Sequence, residues 1–174
     1  PFLIYGAYES CNKFFVNVCA MGDEKSALML LESGVDIEAK NNEMQTALMV
    51  AALNGHKDCV KILLKKGADI EARDNQKLSA LMVAAFNGHK DCIKILLEEG
   101  ANFEAEANYG ATALMISSTN GHQACMELLL ENGAIINKIN LYQKTAITLA
   151  LENSHRNCAK VLLEALKSQK GVSN

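Results

Sequence analysis

Short apolar stretches alternate with polar ones along this 174-residue chain and predict a series of short helices. Between Cys59 and Leu64 the apolar residues stand three and four positions apart, which is the spacing of one helix face. Another helix is predicted just before it, between Thr46 and Gly55. Helices of this length are shorter than the roughly 12 to 15 residues that a lone helix needs in water. We therefore expect them to be stabilised by stacking.

The helix pair repeats with a period of 33 residues, visible in three sets of residues that we call ladders. The ladders are His56, His89, His122 and His155; Gly34, Gly67, Gly100 and Gly133; and Cys59, Cys92, Cys125 and Cys158. A fixed period of this length indicates units that bury their apolar edges only against neighbouring units. We divide the single domain, residues 1–174, into five units and a tail. These are a divergent N-terminal cap repeat at about 8–40, repeats at 41–73, 74–106 and 107–139, a C-terminal cap repeat at 140–168 and a frayed tail at 169–174.

Local signals place a helix, a turn, a second helix and a loop in each unit. Thr46 stands where it can accept hydrogen bonds from the first amides of the first helix, and Ser79, Thr112 and Thr145 are its equivalents. Ala51 and Ala52 are small and allow a neighbouring helix to approach closely. Gly55, with its equivalents Gly88 and Gly121, can take the positive φ that ends this helix.

Two stretches, TALMVAALNGHKDCVKILLKKGADIEA and SALMVAAFNGHKDCIKILLEEGANFEA, resemble ankyrin repeats. So do TALMISSTNGHQACMELLLENGAIIN and TAITLALENSHRNCAKVLLEALK, and the resemblance covers about residues 8–168. It implies an all-α solenoid of stacked helix-turn-helix units with short β-hairpin loops. The family's T-P-L-H is T-A-L-M here, and its hairpin-tip glycine is present only as Gly110. Met44, Lys77 and Gln143 stand at that position instead, which predicts less regular tips.

Composition and charge exclude several classes of function. Hydrophobic residues make up 49% of the chain and charged residues 21%, as in a folded soluble domain. The net charge is -3 and the basic residues are interspersed with acids, so we expect no nucleic-acid partner. The apolar runs are shorter than the ~18 to 20 residues of a membrane span, and we expect no membrane insertion.

The N-terminal segment gives two further expectations. Residues 1–8 lack the basic flank of a signal peptide, and we expect the protein in the cytoplasm, with the nucleus as the alternative. Because residue 1 is a proline rather than a methionine, we expect a piece of a longer protein. In the repeat frame, Pro1 to Ala7 are either the tail of a further unit or an apolar cap, whose Phe2, Leu3, Ile4 and Tyr5 cover the first unit.

The histidine and cysteine ladders could suggest metal sites, but their spacing argues against this. Stacked helices lie about 8 to 10 Å apart, too far for ligands of successive units to meet at about 2.0 to 2.3 Å from one zinc ion. The same spacing exceeds the reach of a disulfide, so we expect reduced thiols. In ankyrin repeats such a histidine bonds to the backbone of the adjoining loop, and the cysteine position lies in the core.

No motif for catalysis is present, and we expect neither enzymatic activity nor a cofactor in this segment. Glu38, Glu71 and Glu104 recur at the 33-residue period and are predicted to form a solvated edge rather than an acid/base pair. Met49, Met82 and Met115 recur in the same way and are predicted to lie in the core.

The resemblance implies a partner-binding surface on the hairpin tips and on the concave face of the first helices. The residues at positions that the family leaves free to vary form the predicted strip: Leu53, Asn54, Gln76, Leu78, Phe86, Asn87, Tyr109, Thr119 and Tyr142. Large apolar side chains on an exposed face suggest an interface. The alternative, packing between adjacent tips, applies best to Leu78 and Leu141.

The sequence thus predicts a protein-protein interaction module, monomeric, that docks or scaffolds a protein partner of unknown identity. Two alternatives remain at this point. The segment is a regulatory or targeting domain of a larger enzyme or channel, or it is the substrate of an asparaginyl hydroxylase at Asn137, which occupies the loop position of Glu38, Glu71 and Glu104.

Overall fold

The computed structural model describes residues 2–171, and the side chains of residues 10–169. Within this range it contains ten α-helices and one short turn of 3-10 helix. The α-helices are α1 Phe2–Ala20, α2 Glu24–Glu32, α3 Ala47–Leu53, α4 Lys57–Lys65, α5 Ala80–Asn87, α6 Lys90–Glu98, α7 Ala113–Thr119, α8 Gln123–Glu131, α9 Ala146–Glu152 and α10 Arg156–Gly171. The prediction of an all-α fold is confirmed.

The helices form two rows. The odd-numbered helices, α1 to α9, pack side by side in chain order, and the even-numbered helices, α2 to α10, do the same. Each odd-numbered helix also packs against the even-numbered helix that follows it. We call these the inner and the outer row. Five helix pairs are thus stacked in one direction, as the 33-residue period predicts.

The core follows the two rows and contains the predicted ladders. Met49, Met82 and Met115 are at most 2% exposed, which confirms that they are core residues. The cysteine ladder, Cys59, Cys92, Cys125 and Cys158, is buried as well. Burial raises the pKa of each of these thiols, to about 11 at the first three positions. The cysteines therefore act as small apolar residues.

The predicted caps of the inner helices are also confirmed. The Thr46 hydroxyl accepts a hydrogen bond from the Met49 amide at 3.4 Å, and Ser79, Thr112 and Thr145 cap their helices in the same way. Gly55 takes a φ of 77° after α3. A side chain at Gly55 would also collide with the His89 ring, since an added Cβ would lie 2.6 Å from Nδ1.

The histidines join neighbouring units. Nε2 of His89 lies 2.9 Å from the Leu53 carbonyl oxygen at the end of the preceding inner helix. His56 and His122 make the equivalent bonds to the carbonyls of Ala20 and Phe86. This confirms a structural role for these three histidines of the ladder. In the described residues, no three metal-ligating side chains come together.

The glutamates at the 33-residue period lie at a partly exposed edge, and each also bonds to the next unit. Oε1 of Glu71 accepts a hydrogen bond from the Asn102 amide of the next unit at 2.8 Å. Glu38 and Glu104 accept from the amides of Asp69 and Ile135 in the same manner. All three side chains are partly buried between loops. Their recurrence reflects a bond from unit to unit, which the prediction of a solvated edge did not include.

Both ends of the chain extend their terminal helices. Helix α1 begins at Phe2, so residues 2–7 continue the first inner helix. The side chains of Phe2, Leu3, Ile4 and Tyr5 lie outside the described ones, as do Pro1 and residues 172–174 entirely. Helix α10 continues to Gly171, past the predicted end of the last repeat at residue 168. Across the described part of the chain, no helix combines the length and apolarity of a membrane span.

Candidate partner-binding surface

Four hairpin tips precede the inner helices of the second to fifth units. In three of them, the side chain at the base, which is the residue that begins the tip, accepts hydrogen bonds from two amides of the same tip. Oδ1 of Asp74 accepts hydrogen bonds from the amides of Gln76 and Leu78, at 2.8 and 2.9 Å. Asn41 and Asn140 hold their tips with the same pair of bonds. These bonds keep Met44, Lys77 and Gln143 at φ values of 59° to 61°, a left-handed conformation that glycine usually occupies.

The fourth unit departs from this geometry because Ala107 replaces the Asn or Asp at the base and has no side-chain acceptor. Its tip is a tight turn over Asn108–Gly110, in which both Tyr109 and Gly110 have positive φ, 62° and 74°. Irregular geometry was predicted for the tips that lack glycine, and this prediction was wrong about which tips are irregular. The tips without glycine share one conformation, and the tip with Gly110 differs.

Backbone hydrogen bonds connect the tips into a row. The Asn108 amide donates to the Gln76 carbonyl at 3.0 Å, and the Leu141 amide donates to the Tyr109 carbonyl at 2.9 Å. A longer bond, 3.4 Å, joins Asn75 to Glu43. The β-hairpin character is confined to such turns, since Lys40 and Thr46 form the one isolated β-bridge among residues 2–171.

Two tyrosines of neighbouring tips pack on each other. The ring centroids of Tyr109 and Tyr142 are 5.5 Å apart with a tilt of 33° between the ring planes, a geometry that favours aromatic attraction. The alternative of packing between adjacent tips, predicted to apply best to Leu78 and Leu141, is thus observed at this tyrosine pair. Leu78 is half-buried against the core, whereas Leu141 is 75% exposed. Tyr109 and Tyr142 are each still 61% exposed, so the pair presents an apolar surface to solvent.

Among the grooves between the tips and the inner helices, two contain residues of the predicted strip. The first groove, of about 390 Å³, has Leu53 and Val83 among its lining residues. The second, of about 480 Å³, is lined by residues that include Tyr109 and Ile116. Three residues of the third unit line both grooves and form their shared wall: Gln76, Leu78 and Phe86.

Most of the predicted strip is brought together here. Leu53, Gln76, Leu78, Phe86 and Tyr109 line one or both grooves. Tyr142 is connected to them by its ring contact with Tyr109. Asn87 is connected to them by a 2.7 Å hydrogen bond from its Nδ2 to the Leu53 carbonyl.

Asn54 and Thr119 line neither groove. Asn54 donates to the Val50 carbonyl and Thr119 to the Met115 carbonyl, each within its own helix. Partner binding by any of the nine strip residues stays a prediction.

The grooves contain apolar residues that the sequence analysis did not single out. Val83 is buried in the first groove, and Ile116 is half-buried in the second. Both belong to a ladder of large aliphatic residues with Val50 and Leu149. The prediction of the strip did not use this recurrence, because it rested on positions that are free to vary between units.

The grooves carry little charge compared with the outer row. No charged residue lines the second groove, and Glu43 and Asp74 are the charged residues of the first. The outer helices, by contrast, bear exposed ion pairs such as Lys57 with Asp91 at 3.3 Å and Lys94 with Glu98 at 3.9 Å. The strip is therefore suited to apolar and neutral polar contacts.

A family model described as "Ankyrin repeats (3 copies)" matches residues 15–107 and again residues 100–174. A comparison with curated proteins finds no match. Ankyrin repeats are generally protein-protein interaction modules, and such domains are typically non-catalytic. Because the two matches together span residues 15–174 of the 174-residue chain, and the helix pairs stack as described, this chain belongs to the ankyrin-repeat family.

Proposed function

We propose that this domain docks a protein partner on the strip formed by its hairpin tips and inner helices. One observation carries the proposal: Phe86 is 52% exposed although it forms the wall between two grooves that both contain apolar residues. Phe86 belongs neither to the core nor to the residues packed against it. Exposed apolar surface beside polar residues is typical of an interface.

The aromatic residues of the strip are suited to anchor a partner. Phe and Tyr bury a large area and have only two side-chain torsions to immobilise, so little rotamer freedom is lost. The Tyr109 and Tyr142 rings already support each other across two tips, which further limits their motion. Truncating such an anchor typically costs at least about 2 kcal/mol of binding free energy, or roughly thirtyfold in affinity.

Capture of the native partner from cell lysate tests the proposal. The test variant carries Phe86→Asp and Tyr109→Asp, and the matched control carries Phe14→Asp and Met29→Asp. Phe14 and Met29 are 56% and 69% exposed but belong to the first unit, outside the strip. Circular dichroism and melting verify that both variants are folded.

We expect the strip variant to lose the captured protein and the control variant to retain it. Equal capture by the strip variant and the wild type would exclude the strip as the docking site. Loss of capture by the first-unit variant alone would move the docking site to the N-terminal end.

We also propose a cytoplasmic location, which the five buried cysteines support, since reduced thiols persist in that compartment. Within a longer protein the domain would serve as a targeting or regulatory arm that recruits the partner. Sequencing of the parent gene tests this directly: a catalytic domain on the same chain supports the regulatory role, and its absence supports a scaffold alone.

Asn137 is a second candidate for function, as a hydroxylation site. The observation that favours it is its exposure in the loop between α8 and the fifth unit. Intact mass spectrometry after incubation with a cytosolic asparaginyl hydroxylase measures the gain of one oxygen atom. The Asn137→Ala variant must lose that gain, and an unmodified wild type would exclude the role.

A further inference from the structure

We propose that the partner inserts an arginine side chain into the first groove, where it meets the carboxylates of Glu43 and Asp74 and the ring of Phe86. This inference rests on the proposed docking function and adds the chemistry of the partner. It follows from a charge difference between two equivalent grooves, from the bonding of the two acids and from the apolar wall beside them.

The two grooves occupy the same place in successive units. Val83 of the first groove and Ile116 of the second stand 33 residues apart, as do Leu53 of the first and Phe86 of the second. Both grooves thus have large apolar side chains on the inner helices. The repeat itself therefore provides a matched comparison for any difference in charge.

The two acids of the first groove have no counterpart in the second. The residue 33 positions after Glu43 is Gln76, and the residue 33 positions after Asp74 is Ala107. Among the residues that the structure describes, no basic residue lines either groove. The first groove therefore carries two negative charges at positions where the second is neutral.

Neither carboxylate is neutralised within the described part of the chain. Glu43 is exposed and Asp74 is half-buried, and neither forms an ion pair there. Lys13 shares a neighbouring cavity with Glu43 but does not line the first groove. Asp74 uses Oδ1 for two amides of its own tip, and Oδ2 keeps its lone pairs for a further donor. The groove thus offers acceptors to a cation.

The wall of the groove selects a cation with an aliphatic stem. Leu53, Leu78 and Val83 can pack against methylene groups while the charged head reaches the carboxylates. An arginine also fits the exposed Phe86 ring, since its planar guanidinium stacks on aromatic faces and binds carboxylates through paired donors. A metal ion is less suited, because the described residues bring no third metal-ligating side chain to the two acids.

The difference in charge also places the arginine in one groove rather than the other. An arginine in the second groove would lose hydration without gaining a carboxylate, so that groove is left to an apolar side chain of the same partner. An acidic side chain in the first groove would meet like charges.

Capped tripeptides titrated into the isotopically labelled 174-residue protein test the inference by NMR. The probe is Leu-Arg-Leu, whose leucines offer apolar contacts on either side of the arginine. In the first comparison peptide, arginine is replaced by citrulline, which is uncharged and has nearly the same shape. In the second, arginine is replaced by lysine.

A double variant removes the two charges and keeps the fold of the tips. It carries Glu43→Gln and Asp74→Asn. Asn41 holds its own tip with the same pair of amide bonds, so asparagine at position 74 should retain the tip conformation. The matched control carries Glu99→Gln and Glu131→Gln, which remove two exposed acids at the ends of outer helices. The NMR spectra themselves verify that both variants are folded.

We expect Leu-Arg-Leu to bind about tenfold more tightly than the citrulline peptide, and more tightly than the lysine peptide. It should shift the amide signals of Gln76, Leu78 and Phe86. The preference over citrulline should weaken at high salt, vanish in the double variant and persist in the control.

Several results would each overturn the inference. These are absence of binding, equal affinity for the arginine and citrulline peptides, a lysine peptide that binds as tightly, signal shifts confined to residues outside the first groove, and a preference that survives the loss of both acids.

The proposed function has its own readout, which keeps the two failures apart. If Leu-Arg-Leu shows no preference while capture of the native partner still depends on Phe86 and Tyr109, the strip docks a partner of different chemistry. If that capture is independent of both residues, the docking function itself fails.

Discussion

Helix α5 contains both buried positions that recur between units and an exposed position that varies between them. Its first six residues, Ala80 to Ala85, are at most 2% exposed, and the corresponding six residues of α3 are the same amino acids. The next residue is Phe86, which is 52% exposed and replaces Leu53 of α3. Positions that recur between units are mostly those that pack, and positions that vary are free to contact something else.

Substitutions at buried recurring positions and at exposed varying positions should differ most in their effect on the free energy of unfolding. Leu96 of α6 is fully buried, and Leu96→Ala should lower the free energy of unfolding by about 2 to 5 kcal/mol because it leaves a cavity. Phe86→Ala removes an exposed side chain and should change it by less than about 0.5 kcal/mol. Urea denaturation measures both values. A Phe86→Ala cost as large as that of Leu96→Ala would make Phe86 a core residue and refute the distinction.

The glutamates that bond from unit to unit should have an intermediate effect. Glu71→Ala removes the acceptor of the Asn102 amide and an ion pair with Arg73 at 3.4 Å. Both are partly exposed, so we expect a loss of about 1 kcal/mol. The matched control is Glu99→Ala, an exposed residue of the same charge, which should cost less than about 0.5 kcal/mol. Equal costs in urea denaturation would show that the Glu71 bond adds nothing.

The sequence predicted those features of the fold that are determined within a single repeat unit. Thr46 as a cap and Met82 as a core residue follow from the local pattern and the period. The Glu71 bond and the Tyr109 stack on Tyr142 do not, because they depend on the distance between units, which the pattern does not supply. The different geometry of the fourth tip was not predicted either, because it results from the absence of a side-chain acceptor at Ala107.

The tips should respond to glycine with opposite signs. Gly110→Ala places a side chain at a φ of 74° and should cost about 1 kcal/mol. Lys77→Gly relieves the left-handed strain at a φ of 59°, but it also increases the freedom of the unfolded chain. We therefore expect a stabilisation below about 1 kcal/mol, measured by thermal unfolding. A loss of stability in Lys77→Gly would mean that the Asp74 bonds remove the strain completely.

The reactivity of the cysteine thiols should distinguish core positions from surface positions. Their effect on stability near neutral pH is expected to be the smallest of those considered. At pH 8 we expect a thiol reagent to modify Cys11, which is exposed, and to leave the buried cysteines unmodified. Burial raises the pKa of Cys92 from 9.0 to about 11, so the folded state favours the neutral thiol. The resulting stabilisation is complete below pH 9 and is lost as the pH rises towards 11.

Melting curves between pH 8 and 11 measure this loss. The Cys92→Val variant lacks the titrating group and should lose less stability over the same range. Rapid modification of more than one thiol in the folded protein at pH 8 would contradict the buried ladder.

The central claim is that the strip holds the partner, and hydroxyl-radical footprinting of the complex tests it most directly. Phe86, Tyr109 and Tyr142 on the strip, and Phe14 and Met29 on the first unit, are all more than half exposed in the free domain. When the captured partner is added, we predict that oxidation of the three strip residues falls while that of Phe14 and Met29 is unchanged. Protection of Phe14 and Met29 with unchanged oxidation of Phe86 and Tyr109 would contradict the account.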